Sequence, residues 1–291
     1  MAKKKLRMFD MDELKKVSGT SFLIYGESGS RKTRSLGSMP TNSTTLHLSL
    51  DYGSQSATEA MKVLGIEGAV HKVAPVEDME QLGDWLIELH TKQAYKDNVD
   101  TIVIDNLITL QAKVAEFVSN LPRYKSDRLT AADILEDNSD KKAESKKTLP
   151  MFMDIQAIIR DFVHQLMTLK GDYNIIMLAG QGLLVDPDLV PVPTVYPLVS
   201  GPKSVKPVTA IFDNVFTTTF KEGAFDTADT VATKFRLSTH TDQLTGTTIF
   251  AKTRSIVDRH YLDANEMPAD FRIVFNQIGY INKKDRPKPK E

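Results

Sequence analysis

The chain has 291 residues and a formal net charge of -1, with 41% hydrophobic and 26% charged residues, a balance that excludes collagen-like, low-complexity and wholly disordered chains. It has no Cys, which excludes disulfides, zinc fingers, iron-sulfur clusters and thiol catalysis. Near-neutral charge gives no global case for nucleic acid, so such a partner must come from local patches. The segment 1–17 begins basic, Met1 to Arg7, but no apolar stretch follows, so a signal peptide is not expected and the cytoplasm is. Apolar runs such as Ile175 to Ala179 are far shorter than the ~20 residues that span a bilayer.

From residue 18 onward, strand-length apolar runs alternate with segments at helical spacing, the pattern of a mostly parallel sheet flanked by helices. Strands are predicted at Ser21 to Tyr25, Thr44 to Leu50, Ala69 to Val73, Thr101 to Ile104 and Asn174 to Ala179. Helices are predicted after Lys32, over Ala57 to Leu64, Met79 to Gln93 and Leu107 to Val118, and along the apolar stripe from Ile155 to Leu169 that Gly171 closes. Residues 119–149 are polar and read as a surface insertion, and the Pro-rich stretch 182–206 as a long irregular loop. Strand signals return at Asn214 to Phe220, Lys234 to Thr239 and Thr247 to Ala251, which together predict an antiparallel C-terminal extension of the sheet. One domain, 18–282, is expected, ending in a disordered basic tail, 283–291.

The turn after the first strand is Gly26-Glu27-Ser28-Gly29-Ser30-Arg31-Lys32-Thr33, followed by Arg34, and it lies between a strand and a helix start, where a P-loop belongs. In that reading its backbone N–H groups cradle nucleotide phosphates, Lys32 neutralises the β and γ phosphates, and Thr33 ligates Mg2+. Arg31 stands where the motif has its second Gly, a position that an L side chain enters only at a conformational cost. The strand Thr101 to Ile104 ends in Asp105, which is either an acid holding Mg2+ through water or the cap of the helix that begins near Leu107. Asp51, at the end of another strand, is either a carboxylate that polarises an attacking water or a turn residue before Tyr52-Gly53. The six His residues are scattered, with no pair at metal-ligand spacing.

The segments Gly26 to Thr33, Thr101 to Leu110 and Asn174 to Gln181 resemble, in order, the P-loop, Walker B and sensor strands of the RecA-like P-loop ATPase core. The layout over residues 18 to 280 is similar to the phage-encoded AAA-type nucleotide-binding proteins linked to single-strand annealing and recombination. Thr248 to Arg254 resembles the Lys-x-Arg strand that RecA-fold helicases project into a neighbour's nucleotide, and Met267 to Arg272 the ending of the phage group. The resemblance implies a RecA-like fold that binds ATP and Mg2+ through Lys32, Thr33 and Asp105. It also implies Asp51 as the water-polarising acid, where relatives mostly carry Glu, Gln181 as γ-phosphate sensor, and Lys252 and Arg254 as a finger supplied in trans. The alternatives are a polar strand-end residue for Gln181 and a solvated strand face for the two cations.

In RecA-like recombinases the loops after the Walker B helix and after the sensor strand face single-stranded DNA. Here those places are 119–149, with Arg123, Tyr124, Lys125, Arg128, Lys141, Lys142, Lys146 and Lys147, and 182–206, with Lys203 and Lys206. The first of them carries nearly as many acids, so a plain solvated loop is the competing reading. The expected activity is that of an ATPase acting on single-stranded DNA in phage-type recombination or annealing, self-associating and working beside phage replication or recombination proteins. The alternative is a nucleotide-binding regulatory or assembly protein with weak or lost hydrolysis.

Overall fold

The computed structural model describes residues 19–51, 53–124, 145–185, 192–199, 201–220, 233–243, 246–280 and 283, with backbone alone at 145–148, 202, 203 and 220. The N-terminal segment 1–17 and the tail beyond 283 lie outside the described residues, as does 125–144 within the expected insertion.

Chain order gives β1 (Ser21–Tyr25), α1 (Lys32–Ser35), β2 (Thr44–Ser49), α2 (Gln55–Leu64), β3 (Val70–Pro75), α3 (Met79–Thr91), α4 (Gln93–Asn98), β4 (Thr101–Asp105) and α5 (Leu107–Ser119). It continues with α6 (Ser145–Thr168), β5 (Asn174–Ala179), β6 (Gln181–Leu184), β7 (Thr194–Pro197), α7 (Pro202–Ile211) and β8 (Asn214–Phe220). The last elements are β9 (Thr233–Arg236), β10 (His240–Thr241), β11 (Thr248–Ile249), α8 (Arg259–Ala264), β12 (Glu266–Pro268) and α9 (Phe271–Gln277).

The fold is α/β. An eight-stranded sheet has the order β12-β9-β8-β1-β5-β4-β2-β3. From β8 to β3 all neighbours run parallel, while β9 and β12 are antiparallel additions at the far edge. A parallel sheet needs both faces covered, and β1 shows how its sequence meets that demand. Leu23 and Tyr25 join a core with Ile102, Ile104, Ile175 and Met177 under α3, α5 and α6. Phe22 and Ile24, alternating with them, join Ile176, Leu178 and Phe216 under α9 on the opposite face. On that second face Phe22 meets Phe271 edge-on at 6.2 Å and Phe275 at 6.0 Å.

Four sequence expectations are corrected. The stretch 182–206 is not an irregular loop throughout, since it contains β6, β7 and the start of α7, whose Pro202 occupies the first helical turn, where a missing N–H costs nothing. Helix α7 supplies a crossover, so β8 returns parallel to β1, with Phe22 opposite Asn214, instead of opening an antiparallel extension. The segment around 240 and 248 leaves the main sheet and forms a second sheet, β10-β11-β7-β6, in which β11 runs parallel to β7. The insertion is also shorter than expected, because α6 already begins at Ser145. Among the described residues, no helix is long and apolar enough to cross a membrane.

Candidate functional site

The segment after β1 is built around two backbone requirements. A Cβ on Gly26 would lie 2.1 Å from Thr218 Oγ1 and 2.8 Å from Ser30 Oγ, so only Gly lets the chain turn tightly against β8. Arg31 has φ 63 and ψ 23, the left-handed region, immediately before α1. The loop thus takes the backbone turn expected of Gly while carrying Arg, at a cost of about 1–2 kcal/mol. A polar chain closes the loop: Lys32 Nζ donates to Ser30 Oγ at 3.3 Å, Ser30 and Thr218 hydroxyls meet at 2.7 Å, and Thr218 Oγ1 donates to Tyr25 O at 3.3 Å. Lys32 Nζ also donates to Gly26 O at 2.9 Å and Glu27 O at 2.7 Å, so the ammonium is folded into the ring of the loop. Burial lowers its pKa, against the attraction of Asp105 and Glu27. Glu27, Ser28 and Gly29 are exposed, which leaves the outer side of the loop to solvent.

Asp105 comes to this loop from another strand. β5 lies between β1 and β4, and the acid at the end of β4 is 3% exposed. Thr33 Oγ1 donates to Asp105 Oδ2 at 2.9 Å, joining the loop to the strand end across 72 residues. Asp105 does not cap α5; Asn106 does, its Oδ1 accepting from Thr109 N at 3.0 Å. The Nδ2 of the same Asn106 donates to Asp51 Oδ2, and Gly53 N donates to Asp51 Oδ1 at 2.9 Å, so both carboxylate oxygens of Asp51 are engaged. Asp51 follows β2, whose Ser49 pairs with Asp105, and it is exposed.

Behind Asp105 stands a feature that spacing along the chain did not reveal. His47 in the middle of β2 is 0% exposed, and its Nε2 lies 3.3 Å from Asp105 Oδ2, near enough for attraction but without the alignment of a hydrogen bond. Its Nδ1 is 2.9 Å from His71 Nε2 on β3. Burial, and then His47, lowers the His71 pKa to about 4, which keeps that ring neutral.

The remaining candidates fall into two groups. Gln181 leaves the sheet after β5, whose Ala179 is level with Tyr25 and whose Met177 is level with Ile104, so it departs between the loop and Asp105. It then starts β6, opposite Pro197. Lys252 and Arg254 do not share a strand face as expected. Lys252 makes a single antiparallel bridge to Val215, and Arg254 lies in a bend held by Asn214, whose Oδ1 accepts from Arg254 N at 3.1 Å and Thr253 Oγ1 at 2.8 Å. The reason is that the chain meets β8 at Val215, outside the Thr217 to Phe220 stretch that β9 pairs, and turns away before a second bridge can form. Val215 is level with Leu23, so the pair sits toward the amino-terminal end of the sheet, away from the 26–33 loop of its own chain.

Two residues of the proposed DNA-facing set make contacts within the chain: Arg123, still exposed, pairs with Asp154 of α6, Tyr124 OH donates to the same carboxylate, and the guanidinium lies 5.1 Å from the tyrosine ring centroid. Lys125, Arg128, Lys141 and Lys142 lie outside the described residues, as do the side chains of Lys146, Lys147 and Lys203, while Lys206 is exposed on α7. A separate cavity of about 160 Å³ opens between α6 and α7, lined by Gln156, Arg160, Ser204 and Val208 among others, and takes in none of the loop residues.

Taken as a donor set, the ammonium of Lys32, the hydroxyl of Thr33 and the buried carboxylate of Asp105 fit a magnesium nucleotide. They offer a cation for phosphate, an oxygen for a hard metal ion and an acid for its hydration shell, already joined by the Thr33–Asp105 bond. No protein-family model matches the chain, and no curated protein matches it either.

Proposed function

We propose that the protein is a RecA-like ATPase that binds ATP with Mg2+ at the 26–33 loop and acts on single-stranded DNA in phage-type recombination or annealing. The observation that carries the nucleotide part is the 2.9 Å bond from Thr33 Oγ1 to Asp105 Oδ2, which links the phosphate-loop hydroxyl to the strand-end acid. In this reading Lys32 leaves the carbonyls of Gly26 and Glu27 and neutralises the β and γ phosphates, while the loop's N–H groups hold the same oxygens. Thr33 and Asp105 would hold Mg2+, which when bound supplies charge neutralisation on the phosphate oxygens. Asp51, oriented by Asn106, would direct a water, and Gln181 would report the γ-phosphate from the end of β5. Lys252 and Arg254, remote from their own loop, would serve a neighbouring subunit. The DNA partner and self-association rest on the resemblance.

A second reading, a nucleotide-binding regulatory or assembly protein with weak hydrolysis, is favoured by Asp51, both of whose oxygens already accept hydrogen bonds within the chain. Titrating a fluorescent ATP analogue into wild type and Lys32→Ala tests the nucleotide site. The variant should bind at least about 100-fold more weakly, roughly 2.7 kcal/mol, and equal affinity refutes the site. Turnover of ATP with and without single-stranded DNA then separates the two readings.

A further inference from the structure

A parallel strand covered on both faces favours apolar β-branched residues, and β8 departs from that with three threonines in a row, Thr217 to Thr219. A Val at 218 would fill the same space with no hydroxyl to satisfy, whereas Thr218 is only 6% exposed and its hydroxyl needs partners there. Those partners lie in the segment after β1. Thr217 is level with Tyr25, so Thr218 stands beside Gly26, where an added Cβ would meet its hydroxyl at 2.1 Å. The hydroxyls of Thr218 and Ser30 are 2.7 Å apart, a contact across 188 residues between two buried side chains.

The end of this chain of bonds sets its direction. Tyr25 O can only accept, so the Thr218 O–H is turned to it at 3.3 Å, which leaves the Thr218 oxygen to accept from the Ser30 O–H. Ser30 Oγ in turn accepts from Lys32 Nζ at 3.3 Å. Lys32 also donates to Gly26 O and Glu27 O, so its three ammonium donors are all used within the loop.

We propose that Thr218 is a positioning residue for the phosphate loop: it holds Ser30 against β8, so that the far side of the loop stays in place when Lys32 turns from the carbonyls to phosphate. The inference rests on the nucleotide reading above. In that step Lys32 gives up the contacts that brace the loop from within, at Gly26 O and Glu27 O. The Ser30–Thr218 bond does not involve Lys32 and survives the step. Without it the backbone from Ser28 to Ser30 is ordered only on binding, and that ordering cost weakens affinity. Thr218 acts through Ser30, because its hydroxyl both accepts and donates within the chain. A Ser side chain can do both as well, and a Val side chain can do neither.

The test is the affinity for a fluorescent ATP analogue in the presence of Mg2+, with urea unfolding alongside, on wild type, Thr218→Val, Thr218→Ser, Ser30→Ala and the Ser30→Ala/Thr218→Val double variant. Thr218→Val should raise Kd about tenfold, roughly 1.4 kcal/mol. Thr218→Ser should stay within about twofold of wild type, a rescue that turns on the hydroxyl alone. Ser30→Ala should weaken binding as well, and the double variant should add less than about twofold to the weaker-binding single variant, because one contact cannot be lost twice. Where Thr218→Val fails to fold, Ser30→Ala carries the test. An unchanged Kd in folded Thr218→Val or in Ser30→Ala overturns the proposal, as does a Thr218→Ser as weak as Thr218→Val, or single effects that multiply in the double variant. Each of these outcomes leaves the ATP site standing if Lys32→Ala still weakens binding. Failure of wild type to bind the analogue removes the nucleotide reading and this inference with it.

Discussion

Replacing Thr33 by Val keeps the branched shape and removes one hydroxyl, which makes it a clean probe of the contact between the loop and Asp105. The lost bond is a 2.9 Å donor to a carboxylate that is only 3% exposed, and hydrogen bonds to charged groups contribute about 1.5–3 kcal/mol. Asp105 retains His47 at 3.3 Å and the attraction of Lys32, so the loss should be about 2 kcal/mol. For a chain of 291 residues that corresponds to a fall in Tm of roughly 3–4 °C. The assay is urea and thermal unfolding followed by circular dichroism on wild type, Thr33→Val, Asp105→Asn and the double variant. The coupling energy from that cycle isolates the pair and should be at least about 1 kcal/mol. If the two substitutions add to within about 0.5 kcal/mol, the contact does not hold the loop and the reasoning fails.

Acid should act through His71. Its ring is held neutral in the fold, with a pKa lowered from 6.5 to about 4, so the unfolded chain binds more protons between those values. Stability should therefore be full above pH 6.5 and fall as pH drops toward 4, by on the order of 2–3 kcal/mol, and His71→Gln should flatten that slope in urea titrations. Arg31→Gly relieves a left-handed backbone that costs about 1–2 kcal/mol but adds about 0.5–1 kcal/mol of chain entropy in the unfolded state. The variant should be as stable as wild type or slightly more so, keep nucleotide affinity and raise turnover; a loss of affinity would make the Arg31 side chain a phosphate ligand. If Lys252 and Arg254 serve a neighbour, mixing inactive Lys32→Ala with inactive Arg254→Ala should recover part of the ATPase rate, and specific activity should rise with protein concentration. A mixture that stays dead, with activity independent of concentration, assigns the pair to the subunit surface.

The parts of the fold that were legible are those whose burial is written locally. Ser21 to Tyr25, Thr101 to Ile104 and Asn174 to Ala179 are short continuous runs of mostly apolar residues, and each is a central strand within a residue of its expected ends. The Gly26 to Thr33 turn and Asp105 could be related by motif, and the fold places them in contact. What was not legible depends on pairing partners. Nothing in Asn214 to Phe220 says that the strand is parallel to β1; α7 decides it, and α7 was obscured because six prolines between 187 and 207 read as breakers, although Pro202 starts a helix. His47 and His71 are 24 residues apart and become neighbours only because β2 and β3 run parallel with Thr45 opposite His71. The one local clue was a His inside an otherwise apolar strand centre, which counting His spacings for metal sites passes over.

The aromatic cluster on the second face of the sheet also constrains how the chain is made. Phe22 in the first strand finishes its packing against Phe271 and Phe275 near the other end of the chain. A ribosome working at roughly 5–20 residues per second delivers those partners on the order of 10–50 s after Phe22 has emerged. During that interval Leu36, Met39 and Ala57 are the cover that this face has, and the part that α9 later packs on stays open. Such a chain is a natural client for chaperones that shield apolar surface, and a premature stop just before residue 271 would leave β1 to β12 in the chain, remove α9 and still yield a product that aggregates.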